Sequence, residues 1–385
     1  MTLRYPIFGI ALCLAVLVFL SACAASSDGE PGRPSTVDNG NEKNKEGVGS
    51  VSVEGMSVGE MVGQMFVVSV GGTEPDYYIE KMVRERNLGG VILFGHNMRS
   101  EGQVRRLTGS LQNLSMQTEP AVPLIVAVDQ EGGRIGSAPW VAPQPSAAEI
   151  GGRGDPDEAR SVAKQIGGEL LGAGVNTNFA PVVDTGFGAA IGDRSYGEDP
   201  ELVSRMGAAA VEGYEEAGIA SAAKHFPNHG PAVADSHRDL PVIDHDMETL
   251  KARDLPPFRA TVEAGVPMVM AGHLLYPAVD AEKPASLSPR WMELLREQVG
   301  FDGVVVTDDL AMAGASGGGT PAWAAVEAVG AGADLMIVSS PPEQQAEAYD
   351  AVVAAVESGR IPEAKIRESV RRLVELKREY RFARG

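Results

Sequence analysis

From Ser57 onward, short runs of consecutive apolar residues alternate with longer stretches whose apolar positions fall at helical spacing. The runs occupy residues 65–70, 91–94, 124–128, 178–183, 221–223, 268–271, 304–306 and 335–338. They are apolar at successive rather than alternate positions, the pattern of strands buried on both faces in a parallel sheet. Amphipathic helices are expected between them, at 75–86, 101–116, 155–171, 200–216, 289–298, 321–329 and 343–357. Eight such units predict an α/β fold, a single (β/α)8 TIM-like barrel with C-terminal helices and no second sandwich domain. An open, doubly wound sheet would satisfy the same alternation.

Polar residues follow the runs in a telling order. Asp129 follows the third, Asp184 and then Arg194 the fourth, Lys224 and His225 the fifth, His273 the sixth, and Asp308 with Asp309 the seventh. The C-terminal ends of barrel strands converge on one mouth, so these distant residues are expected to share a site.

The N-terminal segment has a different pattern. Arg4 precedes the uncharged stretch 7–22, which at 16 residues is shorter than the ~20 a membrane span needs and reads as an export signal. It ends Leu20-Ser21-Ala22-Cys23 and resembles the lipobox of bacterial lipoproteins. Residues 1–22 are therefore expected to be a cleaved signal peptide and Cys23 a lipidation site; the alternative is an uncleaved anchor. Residues 24–55 are rich in Gly, Ser, Pro, Asn and charge, too polar to build a core. Residues 23–55 are read as a disordered, lipid-anchored tether with a reach of about 30 Å, and 56–385 as the folded domain. The protein is expected to be exported, to be held at the outer face of the cell membrane by its lipid alone, and to be a monomer.

Composition narrows the chemistry. The chain has 52 acidic and 33 basic residues for a net charge of −19, which disfavours nucleic acid as a partner. Its two cysteines, Cys13 and Cys23, cannot form a disulfide framework for the body or a Cys-rich metal site. Whatever chemistry exists must then come from carboxylates, imidazoles and amines, and no cofactor is expected. Of six histidines, His225, His229, His237 and His245 fall in one short stretch. A loop metal site using His225, His229, Asp235 and His237 is one reading, but Pro227 argues against the helix that would align the first two. Histidines bonded to loop backbone are another reading, with His245 at a helix entry.

Three segments, KHFPNHG (224–230), ADSHRDLP (234–241) and GVVVTDDLAM (303–312), resemble the signatures of glycoside hydrolase family 3. The likeness is to its β-N-acetylhexosaminidase branch, the peptidoglycan-recycling β-N-acetylglucosaminidases. VGQMFVV, GGVILF, AVDQEGGRI, NFAPVVD, IGDRSYGEDP and AGHLLYP also match, in the family's order, and the resemblance covers about 57–340. It implies a TIM-like barrel and retaining hydrolysis through a covalent glycosyl-enzyme, releasing non-reducing terminal N-acetylglucosamine from a small carbohydrate such as a muropeptide or disaccharide. Asp308 corresponds to the nucleophile, and Asp309 to a neighbour pointing elsewhere, suited to a cap. Asp235 and His237 correspond to the acid/base dyad, in which histidine titrates near working pH and the carboxylate orients it. Because a neutral base repels an anion less than a carboxylate does, transfer to phosphate is a related expectation.

Asp129, Arg194, Lys224 and His225 correspond to the family's contacts with sugar hydroxyls. Structural alternatives pair Arg194 with Glu198 or Asp199, and Glu131 with Arg134; His229 is read as loop support. One departure is Asn228, where the family usually has glycine; if that position is left-handed, Asn tolerates it next best. Another is the glycine-rich 317–320, a candidate mobile edge of the site. A β-glucosidase of the same family would draw its acid/base from a further domain, for which the residues after Ser340 leave no room. A solute-binding lipoprotein shares the size and tether but needs two lobes and no nucleophile. The segment 360–384 holds nine basic and four acidic residues, with Ile366, Val370, Leu373 and Tyr380 spaced as the buried stripe of a helix.

Overall fold

The computed structural model describes residues 51–236, 238–316 and 319–382. Eight parallel strands form the frame: β1 (Phe66–Ser69), β2 (Gly90–Ile92), β3 (Ile125–Val128), β4 (Thr177–Asn178), β5 (Ala220–Phe226), β6 (Met268–Ala271), β7 (Val304–Thr307) and β8 (Met336–Val338). Neighbours in sequence are neighbours in the sheet, and β8 returns to pair with β1, Phe66 opposite Met336 and Val68 opposite Val338. Between β7 and β8 a single parallel bridge, Val306 to Leu335, all but closes the ring. The eight expected runs thus lie in or beside the eight strands, and the open-sheet alternative is set aside.

The strands are short because each is a buried rung. Phe66, Val67, Val126, Val305 and Val338 are fully buried, and side chains of this kind contribute about 1.5–3 kcal/mol each. The fourth run is the exception. Pro181 has no N–H to give the ladder, so β4 stops at Asn178 and pairing resumes only at Val182, bridged to Lys224.

Helices pack outside, and the sequence marks most of their starts. Asp76, Ser100, Asp155, Asp199 and Thr320 each cap a helix by accepting a backbone N–H. Pro156, Pro200 and Pro321 then occupy the first helical turn, where a missing N–H costs nothing. The sequence reading omitted the helix Pro256–Glu263, whose paired prolines look like a break but sit at its first turn. It follows a π-helical segment, Leu250–Asp254. Phe258 of that helix meets Phe226 of β5 edge-on at 5.3 Å, and Phe226 meets Trp291 at 5.5 Å, locking two helices to the strand that carries Lys224 and His225.

The packed chain begins before the expected boundary at 56. Val53 is buried in a short 3-10 turn (Val53–Gly55) against the C-terminal helix Glu363–Glu379. Arg367 donates to Val53 O, Arg371 pairs with Glu54 and Arg378 donates to Val51 O. Part of the basic C-terminal face therefore clamps the start of the domain. No helix among the described residues is long and apolar enough to cross a membrane.

Candidate active site

A β-bulge on β5 builds the first wall. Lys224 faces Met270 and Phe226 faces Ala271, so His225 is an extra residue on its strand. Strict alternation would send Lys224 and His225 to opposite faces; with the bulge, both line one cavity at the C-terminal mouth. The Lys224 amine, nearly buried, lies 2.5 Å from Asp129 Oδ1 and 2.8 Å from Glu131 Oε1. Glu131 also accepts a two-pronged bond from Arg194, 2.8 Å on each arm. Burial alone would raise the Glu131 pKa, yet the two cations pull it down to about 2. Burial likewise opposes the charge on Lys224 and Arg194, and the carboxylates hold both above their ordinary values. Lys224, Arg194 and Glu131 thus stay ionised although largely buried.

Asp184, fully buried, organises the second wall. Its Oδ2 lies 2.7 Å from His225 Nδ1, and its Oδ1 accepts the His229 backbone N–H at 2.6 Å. Across the cavity, Asp308 follows β7. Burial would raise its pKa, but His225, His273, the Asp309 N–H and Lys224 outweigh it and hold the carboxylate below its ordinary range. His273 is fixed by Ser286 Oγ at 2.7 Å and donates from Nε2 to Asp309 O at 3.0 Å. Burial lowers its pKa, opposed by the nearby Asp308 carboxylate. The cavity lined by Asp129, Glu131, Arg194, Lys224, His225 and Asp308 has a volume of about 230 Å³. Phe94, Ile135 and Met312 add apolar groups to its lining. An ionised carboxylate facing fixed donors and acceptors can attack a polyhydroxylated substrate held against that wall.

Residues 57–376 match the glycosyl hydrolase family 3 N terminal domain. The chain belongs to that family. Beta-hexosaminidase A of Pseudoalteromonas piscicida is 36% identical over 333 residues, a match that takes in 78% of this chain and 54% of that one. The chain therefore spans about half the length of that relative. A beta-hexosaminidase of Thiobacillus denitrificans is 39% identical over 288 residues, covering 72% of this chain and 78% of its own. Among solved structures, a family 3 beta-N-acetylglucosaminidase from Paenibacillus superposes with TM-score 0.83 at 41% identity, covering 86% of this chain and 64% of that one. A beta-N-acetylhexosaminidase from Beutenbergia cavernae gives 0.78 at 30%, covering 84% and 98%.

Within this family framework, Asp308, Asp129, Arg194, Lys224 and His225 all line the one cavity. His237, Cys23 and residues 317 and 318 lie outside the described residues. Asp235 is described and adjoins Ser236, which lines the cavity. Three pairings differ from the alternatives weighed on sequence. Arg194 binds Glu131 rather than Glu198 or Asp199, Arg134 binds Asp193 at 2.6 Å, and Asp199 caps a helix. Glu131 is thus a site residue that sequence reasoning missed. The signal was arithmetic: Lys224 and Arg194 buried together need more negative charge than Asp129 supplies. Asp309 lines the same cavity, with its carboxylate accepting from Ala311 N and from both Ser339 groups.

Asn228 overturns the left-handed reading, since the only positive-φ non-glycine residues among those described are Asn87 and Arg381. Its buried side chain is instead a hub. The amide oxygen accepts from Thr185 N and Gly230 N, each at 2.9 Å, and the amide nitrogen donates to Asp254 Oδ1 at 2.7 Å. Asp254 also holds His245 Nδ1 at 2.8 Å, just ahead of the Asp246 cap.

Proposed function

We propose that this family 3 chain is a retaining β-N-acetylhexosaminidase that removes non-reducing terminal β-linked N-acetylglucosamine from peptidoglycan-derived fragments. The observation that carries the reading is Asp308, a buried carboxylate kept ionised at the mouth and facing the charged wall of the same cavity. Asp129, Arg194, Lys224 and His225 hold the sugar hydroxyls. An Asp308 oxygen bonds to the anomeric carbon as the glycosidic bond breaks, and protonated His237 gives its proton to the departing oxygen. The neutral imidazole then takes a proton from water, whose oxygen displaces Asp308 with a second inversion. Asp235 orients the imidazole and favours its charged form. The names of the beta-hexosaminidase relatives support the substrate class. In the cell, residues 1–22 serve as an export signal, and lipid on Cys23 holds the monomeric enzyme at the outer face of the membrane through residues 23–55.

Asp308→Asn tests the chemistry. Hydrolysis of an aryl β-N-acetylglucosaminide is expected to fall by about 10⁴-fold or more, with sugar binding retained, and the wild type should release the β-anomer first by NMR. An α-anomer as first product, or an active Asp308→Asn variant, overturns the reading. Mass spectrometry of digested wall fragments identifies the aglycone, and metabolic labelling with palmitate, compared with Cys23→Ala, tests the anchor.

A further inference from the structure

Ser236 stands between Asp235 and His237, the two residues assigned to the acid/base dyad. Three residues earlier Val233 is 91% exposed, yet Ser236 is only 2% exposed and lines the cavity with Asp308. Loops after two different strands hold it there. From the loop after β5, His229 Nε2 is joined to Ser236 Oγ at 2.9 Å. From the loop after β7, Gly314 N donates to Ser236 O at 3.0 Å. A Cβ on Gly314 would lie 2.9 Å from that carbonyl oxygen and 3.2 Å from His273 Cβ, so the approach requires glycine.

His229 is itself fixed, because its backbone N–H is bound by Asp184, the carboxylate that also orients His225. Burial lowers the pKa of its ring, and ring Nδ1 has no hydrogen-bond partner among the described residues, which leaves Ser236 as the ring's hydrogen-bonded tie. The loop base is braced as well, with Gly188 N donating to Gly230 O at 2.7 Å and Ala189 N to Ala232 O at 3.2 Å.

We propose that Ser236 is a positioning residue: held by His229 and Gly314, it fixes the chain at 230–236 beside the cavity that holds Asp308 and so positions the acid/base group for the leaving-group oxygen. The inference rests on the glycosidase reading above. Sugar contact falls to other residues, so the latch governs proton delivery rather than binding. Loss of the latch must therefore appear where protonation of the aglycone limits the rate, and nowhere else.

The test compares kcat/KM of Ser236→Ala on two β-N-acetylglucosaminides, a dinitrophenyl glycoside that departs without a proton and a sugar aglycone that needs one. The sugar aglycone should lose on the order of tenfold or more and the dinitrophenyl glycoside less than about twofold. Ser236→Thr, which keeps the hydroxyl, should restore activity on the sugar aglycone and so remove the difference. The basic limb of the pH profile should move only for the sugar aglycone. Equal loss on both substrates, or loss on neither, overturns the latch. A wild type inactive on both overturns the glycosidase reading on which it rests.

Discussion

Two buried lysines lie at opposite ends of the barrel, and they are solvated in opposite ways. Lys224, at the mouth, sits between Asp129 and Glu131 and is held charged. Among the described residues Lys377, at the floor where β1 and β2 begin, donates only to the neutral oxygens of Gln64 Oε1 and Gly89 O, at 2.7 and 3.0 Å. Burial pushes its pKa from an ordinary 10.5 down to about 7. The same residue type therefore serves as a charge in one place and as a hydrogen-bond donor in the other. Keeping an ion dry requires counter-ions with good geometry, and the protein supplies them at the mouth, where the proposed sugar subsite lies. At the floor, where only packing is at stake, neutral acceptors suffice.

Glu131→Gln attacks the mouth end of this contrast and should have the largest effect. It leaves Lys224 and Arg194 close together with Asp129 as their remaining counter-ion. Breaking a buried pair in this way costs about 3–5 kcal/mol of stability, and misplacing both cations should lower kcat/KM on the order of 100-fold. Denaturant unfolding and steady-state kinetics on one preparation measure both. If stability falls while kcat/KM holds, the wall is only structural and the two ends are alike.

Asn228→Gly probes a neutral hub at the charged end. Thr185 N, Gly230 N and Asp254 Oδ1 would lose their partner together. A loss of about 2–3 kcal/mol is expected, the cost of leaving buried polar groups unpaired. Burial already raises the Asp254 pKa, and losing the amide should raise it further. Denaturant midpoints check the stability loss, and an unchanged midpoint would show that water replaces the amide and that neutral hubs matter little here.

The contrast also marks how far the sequence could be read. The strands were legible because a rung buried on both faces is apolar at every position, and Asp129, Asp184, Lys224, His225 and Asp308 because they follow those runs directly, whereas the roles of Arg194, Asp235 and His237 came only from the family resemblance. Glu131 and Arg194 are 63 residues apart, and no local pattern announces that they meet. Asn228 misled for a related reason. A loop position occupied by Asn suggests backbone conformation, whereas its work is done by a side chain reaching Asp254 on a π-helical segment that has no periodic signature. Lys377 was hidden in the basic run 360–384, where charge spacing speaks of a solvated face and not of an amine under the barrel.

Lys377→Met tests the floor and should be the smallest effect at neutral pH. In the folded protein the amine titrates near pH 7, and unfolded it titrates near 10.5. Between those values the unfolded chain binds the extra proton, so the stability that Lys377 contributes rises with pH, by at most about 1.4 kcal/mol per unit. Below pH 7 both states are protonated and the slope vanishes. Methionine fills the volume but leaves Gln64 Oε1 and Gly89 O unpaired, costing about 1–3 kcal/mol and largely offset at pH 7 by removal of the buried titration. Urea unfolding of both proteins at pH 7, 8 and 9 should therefore show the variant falling progressively behind, with kcat unchanged because the floor lies far from Asp308. Parallel pH curves for the two proteins would mean that Lys377 stays charged when folded, and the distinction between the two lysines would then rest on geometry alone.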